Sequence, residues 1–407
     1  MEDFFMTSST EAEQPDTAEK RTLQVVWGEQ VAGTAAAKCE AASHRIPLHQ
    51  KPVWLLHHHA HELQHLGAFF LHQGDETQGY APFLIQKRRL KSYLGELNLF
   101  SFGLQCIRFL GLPHFPEETS AYDHLFASAL GLKQSEGLFL ESLPSNSFLW
   151  NYLQHNSVTH KLIRYAPSKT VEHFVINVPT SFDEYMTKFS SKTRSTLLRR
   201  IRKLEKAAGD KLRLERVTEE AQVDLFVENA VTVSRKTYQW HLLSLGLREP
   251  ERLKAELKFL ARRGWARCYL LWCNEKPIAF MLCRQDPMAC YYIDVGFDPD
   301  WTQYSPGTVL QLLVLQDLFE FKKPSVFDFG TGEGEHKRFF GTSSYREADL
   351  YLLRPKPHAL FACTVHRTTS AASSLAVGLL ERLDLKKKIK KMVRRHSVTQ
   401  ASSGESE

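Results

Sequence analysis

Three stretches carry residue types and spacings that could do chemistry. The first is HELQH, His61 to His65, which matches H-E-x-x-H. On one helix face, histidines at i and i+4 can hold zinc while the glutamate activates water. The motif lacks a marked third ligand. Gly67 and His72 each stand one position away from where the longer H-E-x-x-H-x-x-G-x-x-H pattern would need them. With 18 histidines in 407 residues, a chance match is easily met, and no metal is expected. The second stretch is TQYSPGTVLQLLVLQDL (302–318). Ser305 suits an N-cap and Pro306 a first helical position, while Gly307 permits close backbone approach. A helix start without acids offers its free amides to phosphate. The third is SVFDFGTGEGEHKRFFG (325–341), an apolar strand ending at Asp328. Gly330, Gly332 and Gly334 follow, then His336 and Lys337. These glycines do not form G-x-G-x-x-G, and no helix is expected to open after them, so a dinucleotide fingerprint is rejected.

The elements that must position these residues repeat. AFFLH (68–72), GYAPFLIQ (79–86), QCIRFLG (105–111) and GLFLESL (137–143) read as strands, with the helix SAYDHLFASAL before the last. KPIAFMLCR (276–284), CYYIDVG (290–296), the helix at 307–321 and SVFDFG (325–330) give the same order again. Strand, strand, loop, helix, strand thus occurs at about 80–143 and 276–330, the mark of a diverged duplication of a small α/β unit. Trp54 to Leu66 reads as a helix stopped by Gly67. Between the repeats, Leu197, Leu198, Ile201 and Leu204 mark one face of a basic helix that Gly209 ends.

Bulk composition is that of a globular protein, with 43 % hydrophobic and 24 % charged residues. A net charge of +6 does not by itself imply nucleic acid. The seven cysteines form no C-x-x-C pair and mostly lie in apolar runs, which reads as reduced thiols and a cytoplasmic location. No secretory signal or membrane-spanning run is expected. Residues 1–20 read as a disordered segment. The tail carries LKKKIKKMVRRH, with Leu385, Ile389, Met392 and Val393 on one helical face. Such a helix can lie on the anionic inner face of a membrane.

Taken together, SSKTRSTLLRRIRKLE, KPIAFML, YSPGTVLQ and FDFGTGEGEHKRFFG resemble the acetyltransferase domain of the GNAT superfamily, in the branch linked to cellulose and exopolysaccharide genes. That branch is similar to FemAB-type aminoacyltransferases, which carry two tandem GNAT-like domains. The resemblance implies an α/β fold with an N-terminal GNAT-like domain at 21–170, a C-terminal acyltransferase domain at 171–356 and a tail at 357–407. It implies acetyl-CoA or another acyl-CoA as donor, bound by Ser305, Gly307 and Thr308. In the first repeat LPHFPEETSAY stands at that place, acidic and without glycine, so if only one half binds an anionic donor it is expected to be the second. Lys337 would steady negative charge, and Arg194 and His336 would contact substrate. Asp294 and Asp328 are candidates for base or acceptor positioning, and Tyr304 for proton donor. The expected function is acyl transfer to an amine or hydroxyl of a cell-envelope or exopolysaccharide precursor: a sugar, amino sugar or lipid-linked molecule. The alternatives are transfer from aminoacyl-tRNA, and a scaffold that only binds.

Overall fold

A computed structural model of the chain describes residues 21–38, 46–94, 97–155, 161–209, 211–237, 240 and 246–382. The expected disordered segment at 1–20 and the basic run from 383 onward lie outside the described residues. The first half comprises β1 (Arg21–Trp27), α1 (Gln30–Lys38), α2 (Pro52–His58), β2 (Leu66–Gln73), β3 (Glu76–Leu94) and β4 (Leu97–Phe109). It continues with α3 (Thr119–Gly131), β5 (Gly137–Pro144), α4 (Phe148–His155), β6 (Ile163–Tyr165) and β7 (Val171–Asn177). The second half begins with α5 (Phe182–Met186), α6 (Ser191–Ala207), β8 (Leu212–Val217), α7 (Val223–Arg235) and α8 (Pro250–Ala261). Then come β9 (Ala266–Cys273), β10 (Lys276–Gln285), β11 (Ala289–Phe297), α9 (Pro306–Glu320) and β12 (Val326–Thr331). The last elements are α10 (Glu335–Phe340), β13 (Ser343–Leu353) and α11 (Pro357–Arg382).

All strands join one mixed sheet in the order β1-β2-β3-β4-β5-β13-β7-β12-β11-β10-β9-β8, with β6 beside β13. Two units can be read outward from its middle. In the first, β4 and β5 pair in parallel across α3; in the second, β11 and β12 pair in parallel across α9. The central pair is exchanged. β7 follows the first unit in sequence but pairs with β12, and β13 follows the second but pairs with β5. Antiparallel pairing of β7 with β13 then closes the seam. The two halves therefore share a continuous hydrogen-bonded ladder.

Helices cover both faces. On one face of the second unit, Leu197 and Leu204 of α6 and Val309, Leu312 and Leu315 of α9 pack on Met281, Phe327 and Phe329. On the other, α7 and α8 pack on Phe280 and Leu282, joined by Trp54 and Leu55 of α2 from the first half. Alternation along β10 dictates this: Met281 and Leu282 must enter different cores. Of the four apolar residues expected on one face of α6, Leu198 is exposed. The α6 termini follow their residue types, with the Ser190 hydroxyl accepting from the Thr193 amide and Gly209 at φ +60°.

The HELQH stretch is not the expected helix. α2 ends at His58, and 60–65 form 3-10 turns broken at Glu62 (φ −137°, ψ 28°). His61 and His65 therefore do not share a helix face, and Glu62 accepts from or pairs with His59 Nδ1 at 2.8 Å. Gly67 is a strand residue, not a cap; a Cβ there would meet the Phe83 ring at 2.5 Å. Among the described residues, no three His, Cys, Asp or Glu side chains cluster as metal ligands would. A helix also opens after the glycines of 330–334, as α10, against expectation. The segment expected as a tail is helical from Pro357 to Arg382 and packs Ala359, Ala362 and Cys363 on Leu90, Leu104 and Phe139. Among the described residues no helix is long and apolar enough to cross a membrane, and the six described cysteines are buried and unpaired.

Candidate acyl-donor cleft and the seam beneath it

Parallel pairing of β11 with β12 stops at Tyr291 and Asp328. β11 runs on to Phe297 and stays paired with β10, while β12 turns away beside β7 to Thr331. The strands thus splay, and a cavity of about 510 Å³ opens in the wedge. Such a divergence at the carboxyl ends of parallel strands is where open α/β sheets bind ligands. At the matching strand ends of the first unit, after Phe109 and Leu140, Leu112, Pro113, Leu143 and Leu149 border a void of about 10 Å³.

The start of α9 forms the floor of the open wedge. Pro306 has no N–H, and the Ser305 carbonyl accepts from Thr308 and Val309. Gly307 and Thr308 line the cavity; a Cβ on Gly307 would press on Phe297 Cδ1 at 3.3 Å. Ser305 takes a left-handed conformation (φ 55°, ψ 52°) and makes no side-chain cap. The far end of α9 is held by Arg267, a fully buried side chain. Its guanidinium donates to the carbonyls of Asp317 (3.0 Å) and Phe321 (2.7 Å) and to the Asp317 carboxylate (2.8 Å). A cation on helix C-terminal carbonyls is electrostatically favourable and fixes the helix rigidly.

One turn in from Gly307, Gln311 is 4 % exposed and lines the cavity. Its Nε2 has no protein hydrogen-bond partner among the described residues. An orphaned buried amide costs about 1–3 kcal/mol, which a ligand carbonyl would relieve. Two cations of α6 reach the same helix start from outside. Arg200 Nη1 donates to Thr308 Oγ1 at 3.4 Å, and Lys203 Nζ donates to the Gln303 carbonyl at 3.1 Å. Exposed Lys192, Arg199, Arg202 and Lys206 extend this cationic surface, with no carboxylate partner among the described residues.

β12 leads away through Gly330 and Gly332, both in left-handed conformations (φ +68° and +100°) that glycine alone adopts freely. They aim α10 so that His336 lines the cavity, with Nε2 3.4 Å from the Tyr292 hydroxyl. Burial pushes the His336 imidazole down, and Lys337 adds to this. Lys337 turns the other way, donating to the carbonyls of Thr331 (2.8 Å) and Gly330 (3.4 Å). Its ammonium is pushed down by burial, against the pull of Asp328 and Glu347.

Those carboxylates belong to a cluster at the seam. His173 on β7 contacts Asp328 on β12 through Nε2 (2.6 Å) and Glu347 on β13 through Nδ1 (2.9 Å). Tyr345 stacks on the imidazole at 4.6 Å, and Thr331 donates to Glu347. Desolvation disfavours the imidazolium, but the two carboxylates outweigh it and hold His173 up at about 9. Asp294, on β11, is the counterpart case. Burial raises its carboxyl, with only the Val295 amide opposing.

The site therefore brings together Gly307, Thr308 and His336 around the cavity, and Asp328 and Lys337 beside one strand end. Asp294 lies on the splayed strand next to lining residue Val295. Tyr304 and Arg194 do not line the cavity. Tyr304 packs on the core beneath Lys203 Nζ, and Arg194 donates to the Phe189 carbonyl at 2.8 Å. Sequence reasoning missed Gln311, Arg200, Lys203, His173 and Glu347. For Gln311 a signal existed, a lone amide within an apolar helical run.

A second cleft of about 310 Å³ lies between the halves, lined among others by His49, His58, Arg108, Ser142 and Arg284. It reaches the same strand end: Ser142 Oγ is 3.5 Å from Thr331 Oγ1, and His49 feels the charge of Asp328.

Comparison with known proteins agrees with this geometry. Residues 191–338 match the family model described as an acetyltransferase (GNAT) domain. The solved structure of FemX is similar at a TM-score of 0.58, with 11 % identity over 84 % of this chain and 100 % of that one. At such identity the likeness bears on the fold alone. A tandem GNAT protein from the clavulanic acid biosynthesis pathway matches at 0.43, with 10 % identity over 83 % of this chain and 99 % of its own. A GNAT-family acetyltransferase from Colwellia psychrerythraea matches at 0.43, with 10 % identity over 82 % and 99 %. No curated protein matches the sequence. The chain is thus a mixed α/β protein with the fold seen in FemX, and its residues 191–338 match a GNAT acetyltransferase domain.

Proposed function

We propose that the chain transfers an acyl group from acyl-CoA to an amine or hydroxyl of a cell-envelope or exopolysaccharide precursor. The observation that carries this reading is the cavity of about 510 Å³ at the β11–β12 splay, lined by the start of α9; the ends of β4 and β5 border instead a void of about 10 Å³ and the cleft shared between the halves. An acyl-CoA suits the open wedge in each of its parts. Its phosphates would meet Arg200, Lys203 and the α9 start. Its amide-bearing arm would add as a strand along the edge that β11 presents once its pairing with β12 ends. Gln311 Nε2 would donate to a carbonyl of that arm.

The chemistry needs one attack and one departure. The acceptor nitrogen or oxygen bonds to the thioester carbonyl carbon, the C–S bond breaks, and the acceptor's proton must reach a base. Asp294 and Asp328 are the carboxylates at the splay, and burial raises the Asp294 carboxyl, which favours its taking up a proton. Lys337, drawn to the strand end, would steady negative charge there. The cleft between the halves, lined by His49, Ser142 and the ion pair of Arg108 with Glu141, would receive the acceptor; its Arg284 is paired with Glu256.

A second reading rests on the cations of α6. Six of them, without ion pairs among the described residues, form a surface longer than one CoA requires, which favours aminoacyl-tRNA as donor. Thiol release from acetyl-CoA and longer acyl-CoAs, assayed with amino-sugar and lipid-linked acceptors, separates the two. Acceptor-dependent release supports acyl-CoA transfer. Hydrolysis or transfer only with aminoacyl-tRNA would overturn it.

A further inference from the structure

The β3–β4 hairpin outruns the sheet. β2 pairs with β3 only as far as Leu84, and β5 pairs with β4 only over Cys106–Phe109, yet β3 and β4 pair with each other out to Leu94 and Leu97. A bare two-stranded ribbon is marginal in water, and here one face is covered. Leu90, Ser92 and Leu104 are buried under α11, with Phe102 edge-on to Phe361 at 5.7 Å. The opposite face carries Lys87, Arg89 and Lys91 at i, i+2 and i+4, so all three project together, and all are exposed. Among the described residues none of them has a carboxylate partner. From Lys87 to Phe100 the sequence holds one acid, Glu96. At the far end Tyr93, Leu97, Leu99 and Phe100 are 42, 69, 45 and 50 % exposed. Phe100 stacks on Phe102 at 6.3 Å, but among the described residues no core takes up Tyr93, Leu97 or Leu99, three large apolar side chains at the end of a protrusion.

We propose that this hairpin is a docking element for an anionic lipid bilayer, with the apolar end entering the interface and Lys87, Arg89 and Lys91 meeting lipid phosphates. The inference stands apart from the acyl-transfer reading. Apolar groups flanked by cations are complementary to that surface and to little else. A second copy of the chain would fit poorly, because a two-fold contact would set the cationic face against itself. A nucleic acid would use the cations and leave the apolar end unexplained. α11, which covers the hairpin, leads in sequence into LKKKIKKMVRRH, a second cationic stretch.

The test is co-sedimentation of the full chain with vesicles of phosphatidylcholine alone, or of phosphatidylcholine with an equal part of phosphatidylglycerol. The wild type should sediment with the mixed vesicles and not with phosphatidylcholine. Each cation near such a surface strengthens binding about fivefold. The triple variant Lys87→Glu, Arg89→Glu, Lys91→Glu should therefore weaken it by about a hundredfold or more, and Leu97→Ser with Leu99→Ser should also release the protein. An unchanged melting temperature would show that both variants fold. Wild-type failure to bind mixed vesicles, or binding unchanged in both variants, would overturn the proposal. So would loss in the charge variant alone, the pattern of a polyanion, or a concentration-dependent dimer abolished by the leucine variant.

Discussion

Replacing His173 by glutamine perturbs the one cation that ties β7, β12 and β13 together at the seam. Its imidazole is held at about 9 against an ordinary value of 6.5. That preference for the charged form corresponds to about 3 kcal/mol of folding stability. The sign follows from the direction. A group whose folded value is raised contributes fully below its unfolded value and loses the contribution as pH rises through the folded one. The wild type should therefore exceed His173→Gln by about 3 kcal/mol at pH 6, by about 2 at pH 7.5 and by almost nothing above pH 9.5. Any packing lost against Tyr345 adds an offset that does not vary with pH. Urea unfolding followed by tryptophan fluorescence at these pH values reads both parts. A wild-type advantage that stays constant from pH 6 to 9.5, or no advantage at pH 6, would refute the reasoning.

Three other expectations follow from named contacts. Gln311→Leu removes the orphaned amide, so it should leave the melting temperature unchanged or raised while weakening acyl-CoA binding by about tenfold in calorimetry. Arg200→Ala with Lys203→Ala should weaken CoA binding most at low salt, since both cations are exposed, and the gap to wild type should close as salt rises. His61→Ala with His65→Ala should leave acyl transfer intact and stability within about 0.5 kcal/mol of wild type, as expected for exposed positions without a shared role.

Much of the fold is legible in the sequence because each unit alternates strongly and is punctuated by turn residues. KPIAFMLCR and CYYIDVG form β10 and β11 within a residue or two of their expected ends. The α9 start is read correctly from Ser305-Pro306-Gly307, although the Ser305 side chain does not cap it. The strand exchange is hidden. A buried strand such as DLYLL reads the same whether it pairs within its own unit or across the seam. His173 and Glu347 lie 174 positions apart and meet only because of that exchange. The basic helix shows that cations are present but not which of them face the start of α9. Rotation about α6 decides that, and it favours Arg200 and Lys203 over Arg194. HELQH misleads because H-E-x-x-H implies a helix that the chain breaks at Glu62.

The central claim is that the wedge between β11 and β12 holds an acyl thioester at the start of α9. Isothermal titration of acetyl-CoA into wild type and Gly307→Glu tests it most directly, with a circular-dichroism melt to show that the variant folds. The account predicts one site per chain in the wild type. It also predicts a loss of about two orders of magnitude in the variant, where a carboxylate would occupy the phosphate position and crowd Phe297. Equal affinity in a folded variant, or no binding of acetyl-CoA or any longer acyl-CoA to the wild type, would contradict it.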